Sequence, residues 1–278
     1  MRQGGTVADA EILVVMRERT PVTVALLDRL PRLRLVVTSG MRNASIDLDA
    51  CAARGITVCG TSSSPTPPVE LTWALILGLA RNLVPEASGL RAGARWQSTV
   101  GTDLAGATLG VLGLGNIGTR VAAVGLAFGM RVVAWSPYLT DARAALAGVR
   151  RVSKDELFAG SDVLTVHLVL APTTRGIVDA AAIDAMKETA LFVNTARAGL
   201  VDGAALLAAL DEDRIRGAGL DVFDEEPLPF DDRLRTHLRV LATPHLGYVT
   251  EGNYRRYFAE AVEDIEAWLG GTPVRLLG

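Results

Sequence analysis

Cysteine is scarce in this chain. Cys51 and Cys59 are the only two in 278 residues. They form no C-x-x-C pair, and two thiols do not make a disulfide framework; a reducing cytoplasm is the expected setting. Long apolar runs are also missing. The richest, Leu71 to Leu83, is broken by Thr72, Gly78 and Arg81, too short and too polar to span a bilayer, so no membrane partner is expected. No signal-peptide core opens the sequence. Basic charge is not in excess: the formal net charge is −3, which leaves no electrostatic footprint for nucleic acid. Internal repeats are absent, and the one biased stretch is Thr61-Ser-Ser-Ser-Pro-Thr-Pro-Pro68, a loop.

What is present is the composition of an ordinary soluble enzyme, 49% hydrophobic and 21% charged, at a length that allows one or two domains. Residues 108 to 118 organise it. They read Thr108-Leu-Gly-Val-Leu-Gly-Leu-Gly-Asn-Ile-Gly118, an apolar strand, a glycine turn and a helix start. Gly113 permits the tight turn, Gly115 lets a diphosphate approach the backbone, and Gly118 lets helix pack on strand. The N–H groups and dipole of the helix start then face phosphate. Arg131-Val-Val-Ala-Trp135 follows as a second strand, which supplies the βαβ context the motif needs.

Before this motif, Met1 to Ala10 reads as a polar lead. Strands are expected at Ile12–Met16, Leu33–Thr38 and Ile56–Cys59. Thr20-Pro21 reads as a helix start, and Asp47 as the cap of a short helix stopping at Gly55. Residues 11 to 60 thus alternate strand and helix around a small parallel sheet. A long helix runs to about Asn82, and a Pro/Gly-punctuated stretch around Trp96 leads back to residue 108. Further strands are expected at 149–152, 163–168, 190–194, 217–221 and 239–242, a doubly wound pattern. The last helix, Asn253 to Leu269, sets Tyr254, Tyr257, Phe258, Ala261, Val262, Ile265, Trp268 and Leu269 on one stripe at 3.6-residue spacing. The stripe is expected to cover the first sheet, with Glu260, Glu263, Asp264 and Glu266 on the polar face.

Three later stretches carry chemistry: Asn194 to Asp202, Gly219 to Pro227, and Thr243-Pro-His245-Leu-Gly247. Each begins at the C-terminal end of an expected strand, the edge of an open α/β sheet where ligands bind. A guanidinium, a carboxylate and an imidazole converge there.

In these motifs the sequence resembles the D-isomer-specific 2-hydroxyacid dehydrogenases, from Ala10 to about Leu269. The resemblance implies two Rossmann-like lobes in the α/β class. One is a doubly wound dinucleotide-binding domain over 73–248. The other is a smaller flavodoxin-like substrate domain over 1–72 plus 249–278, which lacks the family's first strand. It implies hydride transfer between NAD(P)H and the C2 carbonyl of a 2-oxo acid, giving a D-2-hydroxy acid. Arg197 would fork onto the substrate carboxylate, His245 would act as acid and base, and Glu226 would hydrogen-bond His245. The nicotinamide supplies the hydride, so no metal is expected.

By the same resemblance, Gly113, Gly115, Asn116, Ile117 and Gly118 hold the cofactor's phosphates. His167, Leu168 and Pro172 line its adenosine side. Thr72, Thr195, Ala196, Arg197, Asp221, His245 and Gly247 complete the contacts, Asp221 by bonding the nicotinamide amide. His167 otherwise reads as structural, His237 as solvated and Cys59 as core. The expected partners are a small 2-oxo or 2-hydroxy acid and a second copy of the chain. The homodimer forms through the cofactor domain, with Leu83 to Gln97 as its arm, and the lobes close over substrate.

Three departures stand out. Ser136, 18 residues after Gly118, takes the place of the acid that grips the ribose in NAD-preferring members. NAD is the expected cofactor, with NADP open. Gly40, Met41 and Arg42 are expected to touch substrate together with Arg197 and His245. Arg42 and Asn43 are side chains where the family uses backbone, and they either bind the carboxylate or face solvent. Tyr248, where small residues are common, is expected to narrow the pocket. A segment before Ile12 that the family usually has is missing, so the first sheet has an edge to cover. The rival reading is an NAD(H)-sensing binding protein on the same fold, like the C-terminal-binding corepressors. A third, alanine dehydrogenase-like, needs an early Lys or His; the first 100 residues hold neither.

Overall fold

The computed structural model describes residues 7–278; the expected polar lead lies, up to residue 6, outside the described residues. In chain order, β1 (Ile12–Val15), α1 (Val24–Leu27), β2 (Leu35–Thr38), α2 (Leu48–Ala53) and β3 (Thr57–Gly60) come first. Then follow α3 (Thr66–Ala80), α4 (Leu83–Arg91), β4 (Thr108–Leu112), α5 (Asn116–Ala127), β5 (Arg131–Trp135), α6 (Asp141–Leu146) and β6 (Arg150–Arg151). The run continues through α7 (Lys154–Gly160), β7 (Val163–Val166), α8 (Ala180–Asp184), β8 (Leu191–Asn194), α9 (Gly203–Asp211), β9 (Gly217–Leu220), β10 (Val240–Ala242) and α10 (Glu251–Leu269). The chain divides into two compact units, Met1–Ser64 with Tyr248–Gly278, and Pro65–Gly247. The first division therefore falls ahead of α3, where the sequence placed it inside that helix at 72/73.

The larger unit is a seven-stranded parallel sheet in the order β10-β9-β8-β7-β4-β5-β6. The chain winds outward from β4 to β6, returns to β7, and winds the other way. The strand order therefore switches between β4 and β7, where ligands bind in such sheets. Both faces are covered: Leu109, Val111 and Val163 pack with α3 and α5, while Leu112, Leu164 and Val166 pack with α7, α8 and α9. Burial on both faces is why these strands read as unbroken apolar runs rather than alternating ones.

The smaller unit is a three-stranded parallel sheet, β1-β2-β3. Alternate side chains go to opposite faces. Val36 and Val58 meet α1 and α2 on one face, and Leu35, Val37 and Cys59 meet Ala261, Ile265 and Trp268 of α10 on the other. The last helix thus covers this sheet, as its stripe implied, and Cys59 is core. Beyond it the chain pairs antiparallel with β3: Leu276 bridges Cys59, and the Leu277 N–H donates to the Val58 carbonyl at 2.8 Å.

Four details differ from the sequence reading. The first helix starts at Val24 rather than at Thr20-Pro21. Val22 is buried and bridged to Ile46, so extended backbone persists past Pro21. Asp47 caps α2 as expected, its carboxylate accepting the Ala50 N–H at 2.8 Å. A separate helix, α4, occupies the punctuated stretch; Pro85 is its third residue, where no intrahelical N–H is needed. The polar face of α10 is also not what charge alone suggests. Asp264 is 0% exposed and pairs with Arg275 at 2.9 Å, while Phe258, Val262 and Leu269 of the stripe are exposed. Asp264 lies three residues after Ala261 and seven after Tyr257, on the buried side. Finally, His237 is not simply solvated: its Nε2 lies 3.3 Å from Asp211 and its Nδ1 accepts the Arg239 N–H at 3.2 Å.

Candidate active site

The C-terminal edge of the larger sheet collects the chemistry. After β4 the chain turns at Gly113, whose φ is +108°, a value side-chain-bearing residues avoid. A Cβ there would stand 2.7 Å from the His167 carbonyl carbon and the Leu168 nitrogen, so the segment after β7 presses against the turn. A Cβ on Gly118 would stand 2.0 Å from the Gly113 carbonyl oxygen; the third glycine is what brings helix and strand together. Gly115 is different, with open space where a Cβ would be. It caps α5 with no side chain to bond the first N–H groups. By contrast, Thr140, Ser153, Asp179 and Asp202 fill that role for α6, α7, α8 and α9. An open backbone cradle with spare donors fits a dinucleotide diphosphate.

His167 follows β7. Its Nε2 is buried and has no hydrogen-bond partner among the described residues. Burial pushes its pKa from 6.5 down to about 4, so the ring is neutral at neutral pH. In the unfolded chain the imidazole takes up a proton below about 6.5, whereas in the folded one it stays neutral until about 4. Between those values the unfolded state binds more protons, and stability falls as pH falls. From pH 7 to pH 5 this costs about 2 kcal/mol. Denaturant titrations at the two pH values should show that loss, and His167→Gln should reduce it.

Arg197 is positioned by Asn194, the buried last residue of β8. The Asn194 amide accepts the Ala196 N–H and donates to the Arg197 carbonyl, both at 3.0 Å. One side chain therefore fixes both ends of the turn that carries the guanidinium. Next to it, the Thr195 and Thr72 hydroxyls lie 2.8 Å apart, and Thr72 donates to the Pro68 carbonyl at 2.7 Å.

His245 follows β10. Its Nδ1 lies 2.6 Å from Glu226 Oε2, and Glu226 Oε1 accepts the Phe223 N–H at 3.0 Å. Burial works to raise the Glu226 pKa. The bonds from His245 and Phe223 and the charges of His245 and Arg197 outweigh it, and hold the carboxyl below its usual range. Arg197, Glu226 and His245 are thus brought into one electrostatic neighbourhood.

His245 itself has φ +53°, a left-handed conformation that costs about 1–3 kcal/mol and persists only where its surroundings impose it. Asp221 does so. Its carboxylate, 0% exposed, accepts the Thr243 hydroxyl at 2.6 Å, the Leu246 N–H at 2.7 Å and the Gly247 N–H at 2.8 Å. Burial raises the Asp221 pKa against these bonds. The observed partners of Asp221 are thus the loop around His245.

In the smaller unit, Gly40 (φ +94°) donates its N–H to Thr61 Oγ1 at 3.0 Å, and Met41 and Arg42 are exposed. Asn43 is buried: its amide donates to the Arg17 carbonyl and Thr38 Oγ1 and accepts the Ser45 N–H, so it builds the turn. Tyr248 is 3% exposed, with the Arg17 and Arg19 guanidiniums 5.4 and 5.7 Å from its ring.

Asn194 opens one of the three chemistry-bearing stretches, and its clamp on the turn carries no spacing signal. Asn253 reads in the sequence only as the start of the last helix; in the structure its buried amide accepts the Ser64 N–H at 3.0 Å and donates to the Tyr248 carbonyl at 3.1 Å. A short polar residue at a strand end or helix start was the available signal. Among the described residues no group of three or more His, Cys, Asp or Glu could hold a metal, and no helix is long and apolar enough to cross a membrane.

Residues 73–247 match the family model for the D-isomer specific 2-hydroxyacid dehydrogenase, NAD binding domain. The chain is 36% identical over 277 residues to D-3-phosphoglycerate dehydrogenase of Bacillus subtilis, covering 96% of this chain and 52% of that protein. It spans about half the length of the curated relatives it matches. Among solved structures, phosphoglycerate oxidoreductase from Vibrio cholerae superposes with a TM-score of 0.90 at 41% identity, over 94% of this chain and 84% of that one. D-lactate dehydrogenase from Aquifex aeolicus, complexed with NAD and lactic acid, gives 0.82 at 32% identity, over 96% and 85%.

Proposed function

We infer the reaction from one premise: the chain belongs to the D-isomer specific 2-hydroxyacid dehydrogenase family. It reduces the C2 carbonyl of a small 2-oxo acid to the D-2-hydroxy acid, and runs the reverse oxidation. The observation that carries this reading is the Glu226–His245 pair at 2.6 Å, with the Arg197 charge acting on the same carboxylate, at the sheet edge that also holds the glycine turn.

When bound, NADH supplies the hydride to C2. Residues 113–118 and 136 would hold the dinucleotide. Arg197 grips the substrate carboxylate through its planar fork of donors, which fixes the 2-oxo group in register. His245 Nε2 gives its proton to the carbonyl oxygen as that oxygen gains charge, and takes it back in oxidation. Glu226 holds Nδ1 and so sets the orientation of the ring. Asp221 keeps the loop in its strained conformation.

A second copy pairs through the larger unit. Leu83, Val84, Leu90, Trp96 and Val100, apolar and exposed on and after α4, support that arrangement; light scattering at twice the chain mass checks it. Two buried free thiols support a cytoplasmic setting.

The test is NADH and NADPH oxidation with glyoxylate, hydroxypyruvate, pyruvate and bulkier 2-oxo acids. Turnover with at least one is expected. Tight dinucleotide binding with no turnover across the panel would favour a sensor instead.

A further inference from the structure

We propose that the ribose end of the dinucleotide site accepts NADP(H) about as well as NAD(H), and that Ser136 sets this breadth. The proposal rests on the reading of residues 113–118 as the diphosphate site. Ser136 follows directly on β5, whose last residue, Trp135, accepts the Gly113 N–H at 2.8 Å. The strand end and the glycine turn are therefore locked side by side. The Ser136 Oγ then accepts the Leu114 N–H at 2.9 Å. Part of its bonding capacity is spent on holding the turn.

A serine hydroxyl has one proton to donate and two lone pairs. With one lone pair given to Leu114, it offers a ligand one donor and one acceptor. A ribose diol presents two hydroxyls that a carboxylate grips with two acceptor oxygens. A 2′-phosphate presents only acceptors, and a carboxylate repels it. Ser136 can donate its one proton to an oxygen of either group, and it carries no charge.

The residues that follow do not restore discrimination. Pro137 has no N–H. The Ser136 carbonyl accepts the Leu139 N–H at 3.1 Å, closing a turn. The Thr140 hydroxyl caps α6 by accepting the Arg143 N–H. Asp141, the one acid between 136 and 141, gives its carboxylate to Arg151, with contacts of 2.7 and 3.4 Å. That pairing offsets the repulsion a 2′-phosphate would otherwise meet. The same pairing commits the Arg151 guanidinium. Residues 136 to 141 therefore neither repel the phosphate with an unpaired carboxylate nor contain a cation to reward it.

The experiment is direct binding of NADH and NADPH to the full chain, read by ligand fluorescence, without substrate. For the wild type the two dissociation constants should lie within about tenfold of each other. Ser136→Asp should shift their ratio toward NADH on the order of 10–100-fold, mainly through lost NADPH binding. Ser136→Ala removes the bond to Leu114 and should weaken both nucleotides together, leaving the ratio within about threefold of wild type. A residue that only shaped the turn would make Asp behave like Ala. A wild-type ratio beyond tenfold, or a Ser136→Asp ratio equal to wild type, overturns the proposal. Binding of neither nucleotide overturns the diphosphate site beneath it, a result the ratio alone cannot mimic.

Discussion

His245→Ala is expected to lower kcat by about 10²–10⁴-fold while leaving NADH affinity near wild type, because positioned proton transfer contributes that much. The expectation follows from how the imidazole is held. Nδ1 is taken by Glu226 at 2.6 Å, and in the proposed reaction proton exchange with substrate goes through Nε2. The backbone is kept at φ +53° by a loop whose two following N–H groups are fixed on Asp221. A side chain set this firmly needs no reorganisation as the oxygen gains charge. Glu226→Gln is a finer probe. An amide can still accept from Nδ1–H but carries no charge, so the ring keeps its place and loses its electrostatic partner. Its kcat should fall between wild type and His245→Ala. Single-turnover measurements with saturating NADH separate this from slow product release. Wild-type rates in His245→Ala would remove the imidazole from the mechanism.

The path from sequence to this site was short where one residue's type decides the backbone. Gly113 and Gly118 are required by a positive φ and by a 2.0 Å approach, and glycine is the residue that meets both demands. The parallel strands were equally readable: a strand buried on both faces, such as β7 or β8, must be apolar throughout. Arg197, Glu226 and His245 could be placed because each follows a readable strand at the same sheet edge.

What escaped was set by partners far along the chain. Asp264 looks polar by type, yet Arg275, on the segment that returns to β3, lets it sit fully buried. Burial raises its pKa against that partner, a cost no periodicity reveals. Asn194, Asn253 and Ser136 bond backbone groups whose positions exist only after the sheets have formed. Such side-chain-to-backbone bonds leave no spacing rule in the sequence. The start of α1 was missed for a related reason: Thr20-Pro21 is a sound local signal, but the tertiary bridge from Val22 to Ile46 outweighs it. Local rules placed the elements and their chemistry, and tertiary bonds decided which polar residues hold them still.

Arg197→Ala is expected to lower kcat/KM by about 10²–10⁴-fold, since two charge-assisted hydrogen bonds at about 1.5–3 kcal/mol each are lost. The loss should be specific to the carboxylate. Wild type should prefer a 2-oxo acid strongly over the ketone or aldehyde that lacks the acid group. The variant should lose most of that preference while its activity on the uncharged carbonyl changes little. Arg197→Lys keeps the charge but not the planar fork, so it should recover part of the affinity and little of the orientation, with KM nearer wild type than kcat. Arg197→Ala removes the guanidinium's own bond to the Ala196 carbonyl at 2.7 Å, but the turn should survive, because the Asn194 amide still bonds the backbone at Ala196 and Arg197. NADH binding should therefore persist, which separates a lost substrate anchor from a collapsed loop. A variant that still discriminated fully between acid and ketone would show that another cation holds the carboxylate, and the assignment of Arg197 would fall.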